Sequence, residues 1–211
     1  MNFFITGTDT GVGKTFFTAL LTRAMRQAGF GTVALKPLCS GSREDVEILH
    51  RANDCILSED AVNPYWFTTP VAPLVAARLE NRSVDFCGLE TWLSDLRKHH
   101  PSVLIEGAGG WLVPVSPRHT VADLAHLFGL PVIVVVANRL GCLNHALLTI
   151  ESIRARGLTC AGWVLNSLAG STGPAETSNR QILSEFSDAP YLGELQPGQT
   201  ALDLSGSPLF S

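Results

Sequence analysis

The residues with the clearest chemical potential lie near the start of the chain, in Thr6-Gly7-Thr8-Asp9-Thr10-Gly11-Val12-Gly13-Lys14-Thr15. The apolar run Phe3-Phe4-Ile5 precedes them, and a helical pattern over 14–28 follows. Glycines let backbone N–H groups close around an anion, and a helix start adds positive potential at the same place. A lysine at position 14 would reach the outer phosphates of a nucleoside triphosphate, and the Thr15 hydroxyl would face magnesium. This is a P-loop reading with one departure: Gly7 lies one residue too far from Gly13-Lys14-Thr15, and Thr8 stands where the first glycine belongs. A plain Gly-rich turn would not require Gly-Val-Gly-Lys-Thr between a strand and a helix.

Two further segments could serve the same phosphates. Lys36-Pro37-Leu38-Cys39-Ser40-Gly41-Ser42 closes a second apolar run, and Pro37 should stop its ladder. Alone, Lys36 would be an ordinary snorkelling lysine; beside a P-loop it would stabilise charge on a transferring phosphoryl group. Ser102-Val103-Leu104-Ile105-Glu106 is a buried-strand pattern ending in a carboxylate before Gly107-Ala108-Gly109-Gly110, which is the layout of a Walker-B acid with Glu for Asp. Magnesium prefers a few oxygen ligands completed by water and phosphate. Asp45 would be a second carboxylate, or equally a charge favoured by a helix dipole. The chain has only three lysines, Lys14, Lys36 and Lys98, against twelve arginines. Two of the three fall in these motifs, where a compact ammonium is not replaceable by guanidinium.

These motifs need a common scaffold. Strand-like runs at 3–6, 32–36, 102–106, 131–137, 160–166 and, more weakly, 189–195 alternate with helical patterns at 14–28, 44–52, 73–80, 89–100, 121–128, 144–156 and 174–186. Val132-Ile133-Val134-Val135-Val136 is continuous rather than alternating, as in a strand buried on both faces. The expectation is an α/β fold of P-loop NTPase type, a mostly parallel doubly wound sheet flanked by helices, in one domain over 1–211. Polar motifs then follow the carboxyl ends of strands, which share one edge, where ligands of open α/β sheets bind. The segment after Gln196, rich in Gly, Ser and Pro, should pack loosely.

Composition narrows the alternatives. Hydrophobic residues make up 45% of 211, the net charge is -4, and no basic block is present, so disorder and a nucleic-acid footprint are unsupported. Five cysteines without C-x-x-C spacing argue against a disulfide framework or zinc site. No apolar run is long enough for a signal peptide or a membrane span, so a cytoplasmic protein is expected, or one of an organelle matrix if a longer precursor was trimmed.

Taken together, Gly7–Thr15, Lys36-Pro37…Ser40-Gly41, Asn63-Pro64-Tyr65…Pro70, Glu106-Gly107-Ala108-Gly109-Gly110, Leu140-Gly141-Cys142-Leu143-Asn144-His145 and Ala161-Gly162-Trp163-Val164-Leu165-Asn166 closely resemble the dethiobiotin synthetase family. The resemblance runs from about Phe3 to Leu195 in family order and includes the lengthened P-loop. It implies a homodimeric enzyme that joins CO2 (from bicarbonate) to 7,8-diaminopelargonate with ATP and magnesium, through a carbamate and its mixed anhydride with phosphate. It further implies that Lys14 and Lys36 are catalytic, and that Thr15, Asp45 and Glu106 hold magnesium. ATP would be bound by Gly11–Phe16, Asp45, Glu106, Gly107, Ala108, Gly109, Asn166 (reading adenine), Ser167 and Gln196-Pro197-Gly198. Substrate contacts would come from Thr10, Ser40, Gly110, Gly141, Cys142, Leu143 and Asn144. Asn144 is expected to cap a helix whose start receives the substrate carboxylate across a subunit boundary; its apolar residues could equally just cover the sheet.

Three rival readings remain. A deviant P-loop partitioning or switch ATPase would carry a lysine early in the loop, and Thr8–Val12 has none. The ATP-binding half of a cobyrinic-acid amide synthase would need a glutamine-hydrolysing domain beyond this length. A non-catalytic regulatory domain would not need Lys14, Lys36, Asp45 and Glu106 together.

Overall fold

The computed structural model describes residues 1–167 and 173–209. Along the chain run β1 (Asn2–Gly7), α1 (Lys14–Gln27), β2 (Val33–Leu35), β3 (Leu38–Ser40), α2 (Glu44–Ala52), α3 (Glu59–Val62), β4 (Tyr65–Phe67), α4 (Pro73–Leu79), α5 (Phe86–His99), β5 (Val103–Glu106), β6 (Pro114–Ser116), β7 (His119–Thr120), α6 (Val121–Phe128), β8 (Val132–Asn138), α7 (Cys142–Ala155), β9 (Cys160–Ser167), α8 (Pro174–Phe186) and β10 (Tyr191–Leu195). Six strands form one sheet in the order β10-β9-β8-β1-β5-β2, with every pairing parallel. β1 is the pivot: the chain leaves it toward β5 and β2 on one side, and β8, β9 and β10 lie on the other. The crevice at such a switch point is where an open α/β sheet takes its ligand.

The core follows from strand periodicity. Phe4, Val103, Ile105, Val132, Val134 and Val136 point to one face, against Leu89 and Leu93 of α5, α6 and Ile150 and Ile153 of α7. Phe3, Ile5, Leu104, Ile133 and Val135 point to the other, against Phe17, Leu20, Leu21 and Met25 of α1. Both faces are covered, so β8 is buried at every residue. Helix α1 alone does not close its face. Leu202, Leu204 and Leu209 pack onto that cluster, which corrects the expectation of a loose tail: apolar sheet left bare by one helix is covered by the chain's end.

Two segments differ from expectation locally. Pro37 does end β2, yet the chain continues as β3, which pairs in parallel with β4 in a small separate sheet. Helix α7 begins at Cys142 with Gly141 at its N-cap in the left-handed region (φ 90), so Asn144 lies inside the first turn and does not cap the helix. A glycine suits that conformation and displaces the cap upstream. No described helix is long and apolar enough to cross a membrane.

Candidate active site

The loop between β1 and α1 is shaped by glycine. Gly11 (φ 73) and Gly13 (φ 93) occupy conformations that cost other residues strain. Val12 is buried between them, and a Cβ on Gly7 would stand 2.6 Å from its Cγ2. Helix α1 has Gly13 as N-cap, no side-chain cap and no acidic residue in its first turn. Its free N–H groups and dipole are therefore open to an anion. Lys14 is buried, and its Nζ folds back to donate to the Asp9 carbonyl at 3.2 Å. Burial, with the positive charge of Lys36, lowers its pKa to about 8, although Glu106, Asp45 and Asp9 oppose the shift.

Two strand ends and the start of a helix meet beside this loop. Glu106, at the end of β5, is wholly buried. Its Oε1 accepts from Lys36 Nζ at 2.5 Å and from Thr15 Oγ1 at 2.8 Å. Asp45 Oδ2, in the first turn of α2, lies 2.9 Å from the same Lys36 Nζ. The ammonium of Lys36 is thus held between two carboxylates. Burial works against its charge, but the fields and hydrogen bonds of Glu106 and Asp45 together outweigh burial and hold its pKa above the ordinary lysine value. For Asp45, burial alone would raise the carboxyl pKa; Lys36, by charge and hydrogen bond, with Thr15 and Lys14, carries it below the usual range.

The donor set fits a hard cation. Glu106 Oε2 is buried without a hydrogen-bond partner, while its Oε1 meets the Thr15 hydroxyl and the Lys36 ammonium that also pairs with Asp45. An orphaned carboxylate oxygen is costly unless something compensates it. No three of the described His, Cys, Asp and Glu residues cluster closely enough to hold a metal by themselves. Magnesium takes one or two carboxylates and completes its shell with water and phosphate, and Asp45 and Glu106 are two such carboxylates.

A cavity of about 440 Å³ opens from this cluster. Lys36, Asp45, Thr10, Ser40, Ala108 and Gly109 form its polar and backbone side, while Leu38, Cys39, Pro70, Val71, Ala72, Pro73 and Val113 form an apolar wall. Ser40 Oγ is buried there without a partner. Gly109 (φ 70) lets its backbone approach the P-loop, since a Cβ would meet Val113 Cγ2 at 2.9 Å and Thr10 Oγ1 at 3.3 Å. Gly107 remains part of the sheet ladder, donating to the Ile5 carbonyl at 2.9 Å. The apolar wall is what the sequence reading missed; Pro70 and Pro73 on either side of Val71 and Ala72 were its available signal.

The remaining predicted positions fall around this centre. Asn166, next to last in β9, lies against the P-loop: its Nδ2 donates to the Val12 carbonyl at 2.9 Å, and a Cβ on Gly13 would come within 2.1 Å of that nitrogen. Its carboxamide nitrogen is therefore engaged. Ser167 is bonded to Glu194, which also accepts from Asn138 at 3.2 Å. Phe16 is half-buried against the α1 cluster. Gln196, Pro197 and Gly198 form an exposed turn after β10, closed by Gln199 N–H to the Gln196 carbonyl at 3.1 Å. Gly141, Cys142, Leu143 and Asn144 do not line the 440 Å³ cavity. Cys142 is buried in the core and its N–H is spent on the Arg139 carbonyl. Their helix instead borders a second hollow of about 430 Å³, lined by Thr8, Asp9, Gly110, Trp111, His145 and Leu148 among others, so Gly110 belongs to this hollow.

Comparison with known proteins agrees with the geometry. A family model described as an AAA domain matches residues 1–202. The ATP-dependent dethiobiotin synthetase of Akkermansia muciniphila is 43% identical over 203 residues, covering 96% of this chain and 95% of that protein. The one from Anaeromyxobacter sp. strain K is 47% identical over 177 residues, covering 82% and 78%. Among solved structures, the septum site-determining protein MinD of Pyrococcus horikoshii, complexed with Mg-ADP, superposes with a TM-score of 0.57 at 19% identity, covering 92% of this chain and 81% of that one. At that identity the likeness is one of fold. With relatives 43% and 47% identical over most of their length and a nucleotide-type loop beside two buried lysines, the chain belongs to the dethiobiotin synthetase family.

Proposed function

We propose that this chain, acting as one P-loop unit over residues 1–211, uses ATP to close 7,8-diaminopelargonate and CO2 into dethiobiotin. The observation that carries the reading is the Lys36 ammonium. It is fixed between Glu106 and Asp45 beside the P-loop and faces a cavity with an apolar wall. A diamine with a long methylene chain needs both features: charge where it reacts and apolar surface where it does not.

The chemistry demands this distribution. One amine takes up CO2 and loses a proton to become a carbamate. A carbamate oxygen attacks the γ-phosphorus and ADP leaves. The second amine attacks the carbamoyl carbon, phosphate leaves, and the cyclic urea forms. A carbamate is a weak nucleophile, so positioning and charge neutralisation supply the acceleration. Lys14 and the amides of Gly11–Thr15 hold the triphosphate. Lys36 faces the carbamate and the transferring phosphoryl oxygens, and Ser40 offers its unpartnered hydroxyl to the substrate. Asn166, whose nitrogen is tied to Val12, would offer its Oδ1 to the adenine amine. Thr15, Asp45 and Glu106 would hold magnesium, which when bound neutralises charge on the β- and γ-phosphates. No Ser-His-Asp or Cys-His arrangement is required.

We further read the enzyme as a cytoplasmic homodimer. The start of α7 has no side-chain cap and no acidic residue in its first turn, which suits a carboxylate, and it lies outside the 440 Å³ cavity. A second subunit's α7 would supply that contact. Mixing inactive Lys14→Ala and Asn144→Ala subunits should then restore part of the activity through one intact hybrid site. A fully active monomer would remove this part of the reading. The central test is coupled turnover: ADP release should require both diaminopelargonate and bicarbonate, and release independent of either would overturn the function. Glu106→Gln should weaken magnesium use more than nucleotide binding; an unchanged magnesium dependence in calorimetric titration would point to another carboxylate.

A further inference from the structure

β2 is the last strand of the sheet and, among the described residues, pairs only with β5, through Val33, Ala34 and Leu35 against Val103, Leu104 and Ile105. Alternate residues of a strand turn their backbone groups to opposite sides. Thr32, Ala34 and Lys36 therefore face a side with no neighbouring strand, and that side is buried rather than solvated: the three residues are 0%, 0% and 4% exposed. Side chains complete it. The Thr32 carbonyl accepts from Arg26 Nη1 at 3.0 Å. Asn53 treats Ala34 as a strand would, accepting from its N–H at 2.7 Å and donating to its carbonyl at 2.9 Å. At Lys36 the N–H donates to the Val62 carbonyl at 2.9 Å, and Asn63 Nδ2 donates to the Lys36 carbonyl at 2.7 Å and the Tyr65 carbonyl at 3.2 Å. Both asparagines are buried.

We propose that Asn63 is a positioning residue for Lys36. Its carboxamide supplies the donor of the missing strand, as the Val62 carbonyl supplies the acceptor, at the one residue of β2's outer edge whose side chain enters the site. It ties that peptide to Tyr65 at the head of β4, and so aims the Lys36 ammonium between Glu106 and Asp45. Without Asn63 the buried Lys36 carbonyl has lost its donor, and the peptide must turn to find another. Asn53 holds both peptide groups of Ala34, two residues upstream, and leaves the Lys36 peptide's own partners in place, so it anchors the strand without aiming the lysine. The catalytic consequence rests on the function proposed above; the placement of Lys36 does not.

The test compares Asn63→Ala with Asn53→Ala, assayed well below the melting temperature of both. Asn63→Ala should lower kcat on the order of 10²-fold, as a misplacement of about 1 Å does, while KM for ATP stays within twofold because the nucleotide is held from β1. Asn53→Ala should melt at a lower temperature yet keep kcat within threefold. Equal kcat losses in the two variants, or a retained kcat in Asn63→Ala, would make Asn63 merely structural and overturn the proposal. If Asn63→Ala does not fold, the near-isosteric Asn63→Asp replaces it. An ionised carboxylate cannot donate to the Lys36 carbonyl, so its kcat should be low at pH 8 and rise as acidification protonates it; a kcat equal to the parent's at pH 8 would refute the role. A readout without turnover uses the scarcity of lysine. Protein labelled with 13C at lysine Cε gives three side-chain signals, from Lys14, Lys36 and Lys98. At fixed pH the Lys36 signal should move in Asn63→Ala and hold in Asn53→Ala. That result in a protein without diaminopelargonate-dependent turnover would sink the proposed function and leave the positioning intact. A Lys36 signal that holds in both would sink the positioning.

Discussion

Replacing Lys36 with methionine, which keeps an unbranched side chain one atom shorter and removes its charge, should destabilise the metal-free protein before any question of catalysis arises. Glu106 is wholly buried, and its Oε1 relies on Lys36 Nζ at 2.5 Å and the Thr15 hydroxyl at 2.8 Å, with Oε2 unpartnered. Breaking a buried pair by removing one partner costs about 3–5 kcal/mol, because the remaining charge keeps its desolvation penalty. For a chain of this size each kcal/mol shifts Tm by about 2–4 °C, so the loss should be roughly 6–20 °C. Removing the second charge as well should recover most of it, since replacing both members of a buried pair is often close to neutral. The assay is a set of melting curves in EDTA for the parent, Lys36→Met, Glu106→Gln and the double variant. Magnesium should raise the variant's Tm more than the parent's, because it restores a positive charge beside the orphaned carboxylate. If Lys36→Met and the double variant melt alike in EDTA, Glu106 is not a charge that Lys36 compensates, and the electrostatic account of the site fails.

Lys14→Ala should keep the fold and lose about 10²–10³ in kcat/KM, the cost of one preorganised charge-stabilising group; near-parental turnover would remove Lys14 from the machinery. Because the Lys14 pKa is lowered to about 8 in the free protein and bound phosphates must raise it, ATP affinity should fall as pH rises above 8, with proton uptake on binding. Calorimetry in two buffers of different ionisation enthalpy reads that uptake, and proton release would contradict the assignment. Gly13→Ala must adopt φ near 93 with a Cβ 2.1 Å from Asn166 Nδ2, which should cost about 2 kcal/mol or more and weaken ATP binding. Removing the clash with Asn166→Ala should not restore the affinity, since the backbone strain and the lost bond to Val12 remain; full recovery would show that only the contact mattered.

Much of the protein was determined by local sequence. Gly11, Gly13, Lys14 and Thr15 between an apolar run and a helical pattern specify a phosphate loop because backbone conformation, helix dipole and side-chain reach are all short-range. The continuous run Val132–Val136 specifies a central strand because burial on both faces leaves no polar alternation. Parallel alternation then brings Lys36, Glu106 and the P-loop to one edge, which needed only the order of elements. The tertiary structure decided what depends on contacts between distant residues. Whether Asp45 was a helix-dipole charge or part of the site could not follow from its own neighbours; its distance of 2.9 Å to Lys36 Nζ places it in the cluster. The Asn144 cap failed because Gly141, one turn earlier, accepts the left-handed conformation that starts the helix. The tail read as loose because Gly, Ser and Pro dominate its composition, but Leu202, Leu204 and Leu209 meet a sheet face that α1 leaves partly bare. Asn53 carried no signal, and Asn63, which opens the Asn63-Pro64-Tyr65 segment of the family resemblance, carried none of this role, because a carboxamide stands in for a missing strand only where the fold buries a strand edge without a neighbour.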